Sequence, residues 1–450
     1  MQKKVKLISV ISSILLIMTV LAACSPSAPA KPAEQGTPAQ KDTSKEIKDE
    51  KVTLTLLVSN SYDRSAVDAI IAAAEEKLNI ATEVEIRPGG AEGENIIRAR
   101  LAAGESSDMH LFNSGSLLGT LNPVKNFYPL NDHPELTDKF TDAYKQTVIV
   151  DGKIFGVPSS SSFAGAWLYN KAVYKELGLS VPKTWDELLE NCRKIKDAGK
   201  AAVITSFASD WTSQLILLSD YYNVQAKDPD FSANFNSNKD KYAANEHAIK
   251  AFYKMRDIYD GGFMNPDYNA TTLEVALKML VEGEGVHYPM LTIQLGNIAS
   301  NFGEEAANNI GVFAQPGDDP NNVGLTVWMP DSFYFYKESP NLEYALKWAE
   351  FYISDEGLKI HASKQKPTGP YVIKGAALPT DAYEGIKEML PYFESGRTAP
   401  ALEFITSVKG PNSPQICIQC MGGLEDPKVC AEIYDKDVEK QAKQLGLEGW

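Results

Sequence analysis

Two periods of apolar residues run through positions 51–450 and mark out alternating strands and helices. Val52-Thr53-Leu54-Thr55-Leu56-Leu57-Val58 is β-branched and mostly apolar, as a strand requires, and gives way to the polar stretch 59–64. From Ser65 the spacing changes, with Val67, Ile70, Ile71, Ala74 and Leu78 on one helical face. Residues 82–87 form a second predicted strand, broken by Pro88-Gly89-Gly90. Residues 94–103 read as a helix closed by Gly104, and 109–112 as a third strand. Strand, helix, strand, helix, strand is the start of a doubly wound α/β sheet. Ligands of such sheets lie beyond the carboxyl ends of the strands. That puts 59–64 and 113–117 on the ligand side.

The same reading continues downstream. Asp151-Gly152-Lys153 is a tight turn into a strand over 154–157, ended by Pro158. The polar loop 159–162 leads into a strand over 166–169, and 170–177 is a helix stopped by Gly178. Thr184 with Glu187 three residues on is a capping box that opens the next helix. Amphipathic helices are predicted over 246–260, 272–282, 341–354 and 432–445, and the chain has no internal repeat.

The first fifty residues follow neither period. Met1 and Gln2 lead into Lys3, Lys4 and Lys6, and the chain is then apolar from Leu7 to Ala23, the pattern of a secretory signal. Leu21-Ala22-Ala23-Cys24 resembles the bacterial lipobox, in which small residues admit the peptidase and the cysteine thiol takes the lipid. The expectation is a signal peptide over 1–23 and a lipid on Cys24 that anchors the mature chain to a membrane. A plain signal with a chance cysteine and a short membrane anchor are the alternatives. Residues 25–50 are Pro, Ala, Ser, Thr, Gln, Lys and Glu with few large apolar side chains, so 24–50 reads as a disordered tether. No later stretch approaches the ~20 apolar residues of a membrane helix.

Composition narrows the function. The net charge is −15, and cleavage after Ala23 removes three lysines and no acid. Such a body does not suit nucleic acid, whose affinity comes from basic contacts to phosphate. The remaining ~400 residues are more than one compact core usually takes, so two lobes are expected. Besides Cys24 there are Cys192, Cys417, Cys420 and Cys430. Cys417-x-x-Cys420 invites a zinc or redox reading, but no histidine follows His361, and a zinc site needs about four ligands. A local disulfide or plain thiols fit better, and neither metal nor cofactor is expected. Among the many acids none sits in a recognisable catalytic setting, and Gly-x-Ser-x-Gly and His-Glu-x-x-His are absent from the sequence.

Six segments, in order, resemble the extracellular solute-binding proteins of ABC importers, family 1, the group that includes maltose-binding protein. They are Leu101-Ala-Ala-Gly104-Glu-Ser-Ser-Asp108-Met-His, Asp151-Gly-Lys-Ile-Phe-Gly-Val-Pro158, and Leu168-Tyr-Asn-Lys171 followed by Pro182-Lys-Thr-Trp-Asp-Glu-Leu188. Next come Leu280-Val-Glu-Gly283-Glu-Gly285-Val286, residues 311–316, and Tyr344-Ala-Leu-Lys-Trp-Ala-Glu-Phe-Tyr-Ile-Ser-Asp355-Glu-Gly357. The chain departs from the family at Ser107, where Pro is usual, and at Glu284, where Lys is usual. Its Cys-bearing segment 415–430 has no clear counterpart, and its final Gly449-Trp450 is similar to that of larger lipoprotein members.

The resemblance implies a two-lobed periplasmic-binding-protein fold of type II, each lobe a doubly wound sheet flanked by helices, joined by hinge crossovers. Lobe 1 would hold 51–155 plus 285–330, and lobe 2 would hold 156–284 plus 331–450. It further implies a monomer that binds a small solute, a sugar by family habit, between the lobes and docks on ABC permease subunits. No chemistry on the solute is implied.

Sugars present hydroxyl rims and apolar C–H faces, so their sites combine flat rings with amide, hydroxyl and carboxylate partners. In the loops expected to face the cleft, the candidates are Asn60, Tyr62 and Asp63, then Asn113 and Ser114, then Ser161 and Phe163. Helix capping is the competing explanation for Asp63 and for Ser114. Trp211, Tyr288, Met290, Trp328 and Tyr371 complete the set, with Trp211 the foremost stacking ring, whereas Trp185, Trp167 and Tyr169 read as packing. A non-sugar solute such as a peptide or polyamine, presentation of the ligand to a membrane sensor, and an extracytoplasmic glycosidase are the alternatives.

Overall fold

The computed structural model describes residues 51–60 and 62–450. The expected signal peptide, Cys24 and the tether lie outside them. In chain order the strands are β1 (Val52–Ser59), β2 (Ile80–Arg87), β3 (Met109–Phe112), β4 (Ile149–Val150), β5 (Lys153–Ile154), β6 (Val157–Pro158) and β7 (Phe163–Asn170). They continue as β8 (Ala201–Val203), β9 (Gly285–Leu291), β10 (Ile310–Phe313), β11 (Leu325–Trp328), β12 (Ser332–Phe335) and β13 (Thr398–Pro400). One sheet runs β2-β1-β3-β12-β6, and the other runs β13-β11-β7-β9-β8 with β10 also paired to β7. β4 and β5 form a separate hairpin.

The first sheet begins as the sequence pattern predicts. β1 pairs in parallel with β2 from Val52 opposite Ile80 to Ser59 opposite Arg87, and with β3 on its other side. Helix Ser65–Leu78 makes the crossover and buries Ala66, Val67, Ile70 and Ala74. It ends at Asn79, whose φ of 58° is the left-handed stop of many helices. Helices Leu342–Tyr352 and Asp355–Lys364 pack beside it, which brings a late part of the chain onto the first lobe.

In the second lobe β7 is the central strand, buried from Ala164 to Asn170. It is antiparallel to β9, β10 and β11, while β8 runs parallel to β9. Asn170 caps the helix that follows, accepting from the Val173 N–H at 3.0 Å. Thr184 caps the helix as expected, accepting from the Glu187 N–H at 3.3 Å, but the Glu187 carboxylate accepts from the Lys183 N–H at 2.7 Å, one residue before the N-cap, so only half of the capping box is formed.

The assignment of segments to lobes needs a correction. Residues 285–330 were expected in lobe 1, yet β9, β10 and β11 all belong to the sheet built on β7. Residues from 331 were expected in lobe 2, yet β12 pairs with β3 and β6 in the first sheet. β9 is buried from Gly285 to Met290 because it lies inside the second sheet, between β7 and β8. The chain therefore crosses between sheets three times, from β6 to β7, from β11 to β12, and through residues 366–374. In the last crossing Tyr371 bridges to Ser161 and Ile373 to Phe140. The described residues cluster as one compact unit, and among them no helix is long and apolar enough to cross a membrane.

Candidate functional site

The crossings bring the ends of the two sheets together. From the first lobe come the turn after β1, which carries Asn60, Tyr62 and Asp63, and the turn after β3, which carries Asn113 to Leu117. From the second come the short 3₁₀ turn Asp210–Gln214, the end of β9, and the segment before helix Ser413–Met421. Tyr62, Phe163 and Trp211 are half-buried and pack on one hydrophobic cluster that includes residues of both sheets.

Two cavities open where these loops meet, and both are walled from both lobes. One, of about 610 Å³, is lined by Tyr62, Asp63 and His361 from the first lobe and by Ser160, Ser161 and Thr368 from the crossings. Gln294, Asn297, Glu304 and Tyr383 of the second lobe complete it. The other, of about 590 Å³, lies between Arg98, Ser116 and Leu117 on one side and Gln214, Glu403 and Ser413 on the other. Both fall in the range of about 300–1,000 Å³ common for small-molecule sites. Gly115 lets the two sides approach: its φ is +72°, and a Cβ there would sit 2.7 Å from the Phe404 Cα.

At the base, hydrogen bonds tie the turns to the crossings. The Tyr62 hydroxyl donates to Ser159 Oγ at 3.3 Å, and burial raises its pKa above the usual tyrosine value. The Asn113 amide donates to Asp331 Oδ1 at 3.0 Å. Burial lifts the Asp331 carboxyl to about 6, against the opposing pull of the Arg87 guanidinium. Arg87 is itself buried, donates to the Pro88 carbonyl at 3.1 Å and lies 5.5 Å from the Phe112 ring. Its Nε has no hydrogen-bond partner. His361 is buried with neither ring nitrogen hydrogen-bonded, and burial lowers its pKa to about 4 despite the nearby Gln365 and Ser159 backbone. It is therefore neutral at pH 7 and can donate from one nitrogen while accepting at the other.

The predicted residues divide into three groups. Tyr62, Asp63 and Ser161 line the larger cavity. Asp63 also holds the turn before the helix, accepting from the Ser65 N–H at 2.9 Å, and Ser161 Oγ accepts from the Thr368 N–H at 3.0 Å. Asn113 is exposed, and Phe163 and Trp211 are half-buried. Asn60 shapes its turn by accepting from the Gly89 N–H at 3.1 Å. Ser114 is buried and donates to the Pro330 carbonyl at 3.3 Å, a tie between lobe and crossing.

The third group corrects the expectation. Tyr288 and Met290 are 1% and 0% exposed, because β9 runs on to Leu291 and both sit inside the sheet. The Tyr288 hydroxyl is held by Ser206 Oγ at 2.5 Å. Trp328 is packed at the end of β11 with its indole N–H on Glu403 at 2.7 Å, and Tyr371 is buried beside Ser161. Sequence reasoning missed Arg87, Asp331, His361 and Gln294. Arg87 ends β2, and that position was the available signal for it, whereas Asp331 directly precedes β12 in a crossing. Cys192, Cys417, Cys420 and Cys430 are buried free thiols, and no cluster suited to a metal ion occurs among the described residues.

The sequence matches the profile of the family described as "Bacterial extracellular solute-binding protein" over residues 59–359. The Multiple sugar-binding protein of Streptococcus mutans is 26% identical over 204 residues, 44% of this chain and 45% of that relative, so the chain spans less than half of its length. The Melibiose/raffinose/stachyose-binding protein MelE of Bacillus subtilis is 22% identical over 76% of this chain and 81% of its own length. In fold, a solved chitin oligosaccharide binding protein superposes with a TM-score of 0.71 at 17% identity, covering 87% of this chain and 99% of that one. The family binds solutes and carries out no reaction on them. With a match that covers well over half the sequence and runs through both sheets, the chain belongs to the bacterial extracellular solute-binding proteins.

Proposed function

We propose that the protein receives a carbohydrate between its lobes and delivers it to the permease subunits of an ABC importer, held at the membrane by a lipid on Cys24. The observation that carries the ligand class is the larger cavity, whose lining of hydroxyl, amide, carboxylate and tyrosine side chains matches a sugar's hydroxyl rim and C–H faces. Two of the relatives are named for sugars. Tyr62 supplies a ring inside the larger cavity, and Phe163 and Trp211, which pack on the same cluster outside it, supply the others in this reading. Asp63, Asn113, Ser161, Asp331 and His361 supply polar partners, and a hinge motion about the three crossings closes the site.

The test is a thermal-shift screen of mono- and oligosaccharides on the protein, followed by calorimetry, since a ligand of the folded state raises the melting temperature. A saccharide that shifts the transition in a saturable way is the expected result. Asp63, Glu304, Lys364, Lys366 and Asp381 also line the cavity, and these mixed charges suit a zwitterionic or cationic solute. A shift with peptides or polyamines and none with any saccharide would replace the sugar reading with that one. For the anchor, Cys24→Ser should release the protein from membranes into the medium, and continued membrane association would refute the lipid.

A further inference from the structure

The solute site uses none of the four cysteines of the described residues, yet three of them meet in one place. Cys417 and Cys420 lie on helix Ser413–Met421, and Cys430 lies in the first turns of helix Pro427–Leu445, which packs against it. All three are 0% exposed and belong to one hydrophobic cluster. The Cys420 thiol donates to the Phe252 carbonyl at 3.4 Å, and the Cys430 side chain lies close enough to perturb it. The short turn through Gly422 and Gly423 folds the second helix back, which is why residues ten apart in sequence touch.

We propose that Cys420 and Cys430 are a disulfide pair, closed by thiol–disulfide exchange with an extracytoplasmic protein or small-molecule disulfide as the chain folds. The inference rests on the family's extracellular location, where disulfides form and persist, and not on the choice of solute.

Geometry selects this pair. Cys417 and Cys420 are three residues apart on one helix, where Cβ atoms stand about 5–6 Å from each other. A disulfide needs about 3.8 Å, so joining these two would unwind the helix. Cys430 comes from a second helix and meets Cys420 directly.

In the exchange the Cys430 thiolate attacks the donor disulfide, forming a mixed disulfide and releasing one donor thiolate. The Cys420 thiolate then attacks the Cys430 sulfur and releases the second. The two protein thiol protons end on the two donor thiols, so the protein pair is oxidised and the donor disulfide reduced. Cys430 suits the first role: it sits at a helix N-terminus, and the Cys420 side chain beside it lowers its pKa while burial opposes.

The bond would fix a wall of the cleft. Helix Ser413–Met421 holds the 3₁₀ turn of Trp211 through Ser413 Oγ to Gln214 Oε1 at 2.6 Å and the Gln415 amide to Asp210 at 2.9 Å. The segment leading into it lines the smaller cavity.

The test takes full-length protein from cells that export it, denatures it in an alkylating reagent and maps the peptides without reduction. A peptide pair joined through Cys420 and Cys430, with Cys192 and Cys417 alkylated, is expected. Alkylation of both Cys420 and Cys430 without reduction, even after oxidised glutathione in mild denaturant, overturns the proposal. A bond from Cys417 to either overturns it as well. A second readout is the melting temperature with and without dithiothreitol. Reduction should lower it in the wild type and in Cys417→Ser, and leave the double variant Cys420→Ser/Cys430→Ser unchanged. An equal drop in the double variant would count against the pair.

Discussion

Replacing Asp331 with Asn tests the electrostatics at the base of the cleft. Asp331 lies in the second crossing, accepts from the Asn113 amide through its side chain and from the Ser159 N–H through its backbone, and faces Arg87. Burial raises its pKa from the ordinary aspartate value of 3.8 to about 6, and the Arg87 charge offsets only part of that rise. The sign follows from linkage. Between these two values the folded protein keeps a proton that the unfolded chain has released, so the stability this group contributes is greatest below the unfolded value and is lost as pH rises through about 6. At about 1.36 kcal/mol per unit, a shift of about two units sets a ceiling of about 3 kcal/mol. Solvent reaches the half-buried carboxyl, so we expect about 1–3 kcal/mol.

Asn cannot titrate, so the stability of Asp331→Asn relative to wild type should rise by that amount from about pH 4 to about pH 7. The attraction to Arg87 is already counted in the shift, and a pH-independent offset from the amide replacement does not affect this slope. His110 and His287 are buried with pKa values lowered to about 3, so they destabilise the fold as pH falls below their unfolded value near 6.5. That is the opposite sign in an overlapping window, but it is common to both proteins and cancels in the difference. Urea unfolding followed by tryptophan fluorescence measures it. A difference that stays flat across the window, within about 0.5 kcal/mol, would refute a perturbed Asp331.

Other changes separate packing from binding. Gly115→Ala should cost about 2–4 kcal/mol in urea unfolding, since it combines left-handed backbone with a Cβ 2.7 Å from the Phe404 Cα, and a loss under about 1 kcal/mol would refute the close approach. Met290→Ala should cost about 2–5 kcal/mol as a buried deletion with ligand affinity preserved once folded, and an affinity loss with full stability would restore it to the site. Trp211→Ala should do the reverse, weakening ligand binding at least about tenfold, near 1.4 kcal/mol, and unchanged affinity in calorimetry would remove it from the cleft. His361→Phe, close in shape and without ring nitrogens, should weaken binding of the same ligand while the melting temperature holds, and equal affinity would show that His361 only packs.

The elements were legible because their signals are local. The β-branched apolar run 52–58, the helical face from Val67 to Ala74 and the Thr184 cap all act within one or two turns of chain, and the structure realises each of them. Which sheet a strand joins is not local. Ser332–Phe335 and Leu325–Trp328 are both four-residue buried strands separated by three residues, and nothing in their composition says that one pairs with β3 and the other with β7. That choice is made by partners more than 160 residues away for β11 and more than 200 for β12.

The site shows the same limit on a smaller scale. The rule that ligands gather beyond strand ends points to Tyr62, Asp63 and Ser161, and these line the larger cavity because β1 and the first crossing end where their sequence breaks say they do. It fails at β9, because counting Tyr288 and Met290 as loop residues ends the strand before Tyr288. Both faces of this strand are covered, so alternation cannot show its end, and Tyr288 and Met290 were placed in a loop that begins only after Leu291. With the end moved to Leu291, the same rule points to Ile293 and Gln294, which do line the larger cavity. The physical rule was sound and the boundary was not. The cleft residues most exposed to such errors are those that follow a strand buried on both sides.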